Sequence, residues 1–87
     1  MRGQEFLTFV VYDIPDDRIR LRIANVCKDF GLKRIQYSAF SGPLDSTNRG
    51  EMFARLSHTL AGEAGKILVL PVCEKDVDLR RIVENEG

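Results

Sequence analysis

Lys33-Arg34-Ile35-Gln36-Tyr37-Ser38-Ala39-Phe40-Ser41-Gly42-Pro43-Leu44 lies between two amphipathic segments, and its reading decides the fold. From Lys33 to Phe40 it alternates, with Ile35, Tyr37 and Ala39 on one side and Arg34, Gln36, Ser38 and Phe40 on the other, which is the period of a strand. Residues 33–44 can hold one bent strand or two short ones, and two are expected. The densest break in the chain follows at once: Ser41-Gly42-Pro43-Leu44-Asp45-Ser46 reads as a turn region within one domain.

Upstream, Phe6-Leu7-Thr8-Phe9-Val10-Val11-Tyr12 is aromatic and β-branched with almost no alternation, as in a strand covered on both faces or central in a sheet. Pro15 stops its ladder, and Asp16-Asp17 offer a cap and favourable negative charge to a helix starting near Asp16. Ile19, Ile23, Val26, Cys27 and Phe30 line one face of that helix, with Leu21 pointing away from it, and Gly31 ends it. Downstream, Asn48-Arg49-Gly50-Glu51 resembles a capping box, and Met52, Phe53, Leu56 and Leu60 form a second apolar stripe that ends near Gly62 to Gly65, with His58 on the wet side. Ile67-Leu68-Val69-Leu70-Pro71-Val72 is a second continuous apolar strand, and Pro71, which has no N–H to donate, sends it to a sheet edge or a bulge. The segment from Val77 to Gly87 suits a short helix or a terminal strand equally.

Strand, helix, strand, strand, helix, strand is the ferredoxin-like βαββαβ order, an α+β antiparallel sheet with both helices on one face. Residues 1–87 are expected to form a single domain. A chain of 87 residues, 44% hydrophobic and 30% charged, has a marginal core that partner subunits would enlarge. Thirteen Lys+Arg balance thirteen Asp+Glu, so nucleic acid or membrane binding has to come from a local patch. Cys27 and Cys73 are too far apart for CxxC chemistry and read as core thiols. No apolar run is long enough for a membrane span and no signal-peptide pattern is seen, so a cytoplasmic, membrane-free protein is expected. With His58 the only histidine, a histidine-built zinc site or a Ser/His/Asp triad lacks material.

Asp13, at the end of the first strand, either accepts hydrogen bonds in the Ile14-Pro15 turn or serves as a hard-cation ligand. Magnesium needs only one or two protein carboxylates, and a two-fold axis can bring in the second. Between positions 18 and 34, Arg18, Arg20, Arg22, Lys28, Lys33 and Arg34 face Asp29 alone among acids. Arg20 and Arg22 flank the apolar stripe, where they either cover the core edge with their stems or grip phosphates beside Asp13, joined by Arg34 on the neighbouring strand. Tyr12, Tyr37 and Phe40 would stack on bases if they faced solvent and are otherwise core. Ser38 has no basic partner at readable spacing to make it a nucleophile.

Val11-Tyr12-Asp13-Ile14-Pro15-Asp16-Asp17, then Arg20 and Arg22, then Gly31-Leu32-Lys33-Arg34-Ile35-Gln36-Tyr37-Ser38-Ala39-Phe40 with Gly42 and Leu44 behind, resembles the CRISPR-associated small endoribonuclease family, the smaller of the two proteins common to spacer acquisition. The likeness is strong from Phe6 to Leu44 and weaker from Ile67 to Val83, with Ala39 where a valine is more usual. It implies a homodimer of ferredoxin-like domains in which a C-terminal strand, here Arg81-Ile82-Val83, crosses to the partner's sheet. It also implies that Asp13 is the magnesium-binding, catalytic aspartate, and that Tyr12, Arg20, Arg22, Arg34, Ser38 and Phe40 contact nucleic acid or support activity.

The function so implied is a Mg²⁺-dependent endonuclease, hydrolysing phosphodiester bonds of single-stranded RNA or double-stranded DNA within the spacer-integration complex, alongside the companion CRISPR integrase. The alternative is a dimeric scaffold that bridges integrase dimers and binds DNA without cutting it. A ferredoxin-like RNA-recognition module outside CRISPR is disfavoured, because Lys33 to Phe40 lacks the Lys/Arg-Gly-Phe core of such modules.

Overall fold

A computed structural model describes residues 5–72. Cys73 and the tail from Val77 to Gly87, with the strand expected at Arg81-Ile82-Val83, lie outside the described residues. The elements run β1 (Phe6–Asp13), α1 (Asp17–Asp29), β2 (Lys33–Gln36), β3 (Ala39–Leu44), α2 (Ser46–Leu60) and β4 (Lys66–Val72), the βαββαβ order. All pairings are antiparallel in the sheet order β2-β3-β1-β4. β1 is central, as its composition implies, and β4 with Pro71 is one of the two outer strands among the described residues, β2 being the other.

Residues 33–44 do form two strands, but the alternation that announces them does not run through. A bulge between Arg34 and Gln36 breaks the register, and Tyr37-Ser38 make a two-residue turn whose Ser38 carbonyl accepts the Tyr12 N–H at 3.0 Å. The turn expected at Ser41-Gly42-Pro43-Leu44 is instead strand, paired with β1 from Leu44 opposite Phe6 to Ala39 opposite Val11. Pairing with β2 stops at Ser41, so Pro43 falls where β3 has β1 as its only neighbour and one side of the ladder asks for no donor.

α1 begins as expected: the Asp16 carboxylate accepts the N–H groups of Arg18 at 2.8 Å and Ile19 at 3.1 Å. It ends in a Schellman motif, with Gly31 at φ +83°, Gly31 N–H donating to Lys28 O and Leu32 N–H to Cys27 O. That reversal inserts Leu32 into the core and launches β2. α2 begins one turn before its expected start, because Asp45 caps it by accepting the Asn48 N–H at 2.8 Å. Phe53 leaves the expected stripe and is half exposed, while Met52 and Leu56 are buried.

The core lies between the helices and one face of the sheet. Val10, Tyr12 and Ile14 from the first strand and its exit, Phe40 and Leu44 from β3, Ile19, Ile23 and Cys27 from α1, and Met52 and Leu56 from α2 fill it. Each fully buried large side chain contributes roughly 1.5–3 kcal/mol. The opposite face carries Phe9, Val11, Leu68 and Leu70, aligned by the pairs Phe9–Leu70 and Val11–Leu68, and no helix covers it among the described residues. Val11 at 45%, Leu68 at 52% and Leu70 at 49% exposure show that the described residues of one chain leave the second face of this strand pair uncovered, so of the two readings its apolar composition allowed, the central place in the sheet is the one seen. No helix among the described residues is long and apolar enough to cross a membrane.

Candidate nucleic-acid interface

The implied site residues gather on two faces of the sheet. In an extended strand successive side chains alternate, so buried Tyr12 faces the helices and exposed Asp13 faces the open side. Arg34 lies on β2, which β3 separates from β1; it is therefore not on the strand next to Asp13, and its register with Phe40 puts it on the helix side. Within one chain the arginines consequently do not surround Asp13, as the linear sequence allowed.

On the helix side, a hollow of about 330 Å³ is lined by Tyr12, Asp17, Arg20, Leu21, Arg34 and Tyr37. Arg20 is held firmly. Its Nη1 donates to Ile14 O at 2.8 Å and Pro15 O at 3.0 Å, its Nη2 is ion-paired with Asp17, and its guanidinium lies 5.7 Å from the centre of the Tyr37 ring. Those bonds tie the loop after β1 to the tip of the β2–β3 turn. Arg34 spreads over the Phe40 ring at 5.0 Å and stays exposed. Phe40 itself is fully buried and stacks with buried Tyr12, with ring centres 6.4 Å apart, so these two rings are core and offer no face to a base. Their contribution is a rigid floor for Arg34. Ser38 is half-buried in the turn, and Arg22 is exposed on α1 without lining the hollow.

Asp16, beside the hollow, has its carboxyl held below the usual aspartate range by the Ile19 N–H first and the Arg18 N–H second, so it is spent on the helix cap.

On the open side, Asp13 ends β1 in register with Lys66. Gly65 makes this approach possible: at φ +149°, a Cβ there would meet Ile14 Cγ1 at 2.8 Å and Asp13 O at 3.2 Å. Among the described residues, no group of three or more His, Cys, Asp or Glu is placed to hold a metal ion. Asp13 alone suits a hard cation that keeps most of its waters, and it suits one better with a second carboxylate from another copy. Lys66 is the residue that the sequence did not bring to the site, and Tyr37 entered there only as one of three rings that could be either stacking surface or core. Only strand register reveals Lys66, and only burial separates Tyr37, 73% exposed, from Tyr12 and Phe40.

Known proteins share this arrangement of elements and motifs. Residues 6–79 match the family described as CRISPR associated protein Cas2. A CRISPR-associated endoribonuclease Cas2 of Desulforudis audaxviator is 42% identical over 77 residues, 88% of this chain and 73% of that protein. A CRISPR-associated endonuclease Cas1/endonuclease Cas2 fusion of Thermoproteus tenax is 33% identical over 69 residues, 79% of this chain and 26% of the fusion. The crystal structure of a hypothetical protein, TT1823, from Thermus thermophilus superposes with a TM-score of 0.72 at 32% identity, covering 95% of this chain and 92% of that one.

Proposed function

This chain belongs to the CRISPR associated Cas2 family, and from that premise we propose that it is an endoribonuclease of CRISPR adaptation that works as a homodimer with Asp13 at its centre. The observation that carries the reading is that Asp13 shares one sheet face with the exposed Val11, Leu68 and Leu70. Apolar surface of that kind on a small domain is stabilised by a second copy, and a two-fold axis across it brings two Asp13 carboxylates to one interface. The single domain expected of residues 1–87 is retained in this reading, the described part having one continuous core.

Asp13 orients the attacking water by accepting its proton in a hydrogen bond, while Lys66 in register with it supplies positive charge for the scissile phosphate. Asp13 would also hold a divalent ion, magnesium by preference for carboxylate and water oxygens. When bound, such an ion supplies charge neutralisation and a water of lowered pKa. Around the rim of the sheet, Arg34 holds neighbouring phosphates, with Arg22 on the exposed surface of α1 and Ser38 in the turn beside it. Arg20 acts chiefly by fixing the loop that follows Asp13. Tyr12 and Phe40 act through packing beneath Arg34.

The fused relative of Thermoproteus tenax favours a second reading, in which the dimer binds a Cas1-type integrase and DNA as a scaffold. Cleavage of labelled single-stranded RNA and double-stranded DNA, with Mg²⁺, with EDTA and with Asp13→Ala protein shown to be dimeric, separates the two. The nuclease reading expects EDTA and Asp13→Ala each to cut RNA cleavage by about 100-fold or more. Activity that survives Asp13→Ala, or none in the parent protein, leaves the scaffold.

A further inference from the structure

Of Tyr12, Phe40 and Tyr37, the rings around Arg20 and Arg34, only Tyr37 is presented to solvent, at 73% exposure on the tip of the β2–β3 turn. An exposed tyrosine on a turn would ordinarily be loose, and this one is not. The Arg20 guanidinium, itself fastened to Ile14 O, Pro15 O and Asp17, lies against its ring, and the Tyr12–Ser38 backbone bond anchors the turn that carries it. Leu21, 61% exposed and turned away from the apolar stripe of α1, lines the same hollow. Arg34 completes it with a guanidinium seated on Phe40. Arg20 is largely consumed by these bonds, so among the described residues Arg34 is the cation of this hollow with N–H groups left for a phosphate.

The geometry points to this hollow as a single-nucleotide subsite: an unpaired base stacks on Tyr37 and against Leu21 while its phosphate is taken by Arg34. This rests on the nucleic-acid reading above and deepens it by assigning the residues that would take an unpaired base at a strand end or in a loop. A cation pre-organises and polarises the ring, and base–aromatic stacking tolerates any base because every base has a π-face. A base inside a duplex is already stacked and cannot reach the ring. Tyr37 is therefore a specificity-determining residue for single-stranded over double-stranded substrate, and Arg20 a positioning residue that acts through it.

The sequence supplies its own reporter. It contains no tryptophan and two tyrosines, of which Tyr12 is buried, so the fluorescence change on contact with a ligand from solvent reports on Tyr37 above a constant Tyr12 background. The test titrates the full-length protein, with EDTA present to prevent cleavage, with a short single-stranded RNA, with an abasic strand of the same length and charge, and with a blunt duplex. The single strand is expected to quench tyrosine fluorescence and to bind roughly 5- to 100-fold more tightly than the abasic strand. Tyr37→Ala should remove that difference and leave duplex binding unchanged, whereas Tyr37→Phe should keep the affinity and lose the quench. Equal affinity for abasic and base-bearing strands would overturn the subsite while leaving the nucleic-acid reading intact. The subsite is equally overturned if Tyr37→Ala weakens duplex and single strand alike. Failure of the parent protein to bind any of the three overturns both.

Discussion

Phe40 and Arg34 stand opposite each other across the β2–β3 ladder, yet they answer to different physics. Phe40 is fully buried, and Phe40→Ala should lower stability by about 3–5 kcal/mol in urea unfolding, through lost contacts and the cavity left behind. Arg34 is exposed above that ring, and Arg34→Ala should change stability by no more than about 1 kcal/mol while weakening RNA binding. Loss of activity on replacing Phe40 would thus be a packing effect, and on replacing Arg34 a binding effect. Cys27 is a further residue whose surroundings decide its chemistry. Burial pushes its thiol up to about 11 from an ordinary 9.0. At pH 8 iodoacetamide should leave Cys27 unmodified in the native protein and label it in denaturant, as read by peptide mass spectrometry. Because the folded pKa is the higher one, the contribution of Cys27 to stability is fully present below pH 9 and is lost as pH rises from there towards 11. Asp16 has the opposite sign: its folded pKa is depressed, so its contribution is present above 3.8 and is lost as acid titrates it below that value.

At the scale of elements, helix ends separate what spacing implies from what the backbone does. Asn48-Arg49-Gly50-Glu51 has the pattern of a capping box, but Asp45 captures the Asn48 N–H first and the helix gains a turn. Asp45→Ala should therefore cost about 0.5–2 kcal/mol, and Asn48→Ala much less, by thermal unfolding. Strand entry matters similarly at Gly65, where a methyl group would press on Ile14 Cγ1 and the Asp13 carbonyl from a backbone at φ +149°. Gly65→Ala should lower stability by about 1–3 kcal/mol and, by displacing the end of β1, lower RNA cleavage as well. The β2–β3 turn has no glycine or asparagine to announce it, and its alternating flanks fit one long strand as well as two short ones. What favours two is length alone, and what fixes the turn at Tyr37-Ser38 is the bond from Tyr12 N–H to Ser38 O, a contact across 26 positions of sequence.

For the whole molecule, the consequence of placing two helices on one side of a four-stranded sheet is a second side left uncovered by the described residues, and Val11, Leu68 and Leu70 make that side apolar. Leu68→Lys and Leu70→Lys put charge on that side without touching the core, so light scattering should show monomer and circular dichroism an intact fold. If the proposed dimer places two Asp13 side chains together, RNA cleavage should fall with dimer content, because Asp13 would then face water. A charged variant that remained dimeric would place the subunit contact elsewhere.

The sequence alone determined the order of elements, both helices, the central place of β1 and the candidate residues. These are recorded in local periodicity, in caps a few residues long and in a motif read along the chain. Its family resemblance also implied Asp13 as the acidic centre, where the residues alone left a turn acceptor and a cation ligand both open. Tertiary structure decided that Asp13 and the arginines lie on opposite faces, that Lys66 stands in register with Asp13, and that of three candidate rings only Tyr37 meets solvent. The physical reason is that strand partners, register and burial are set by contacts between residues distant in sequence. A side chain one position along a strand changes faces, and no local pattern records which face the helices will cover.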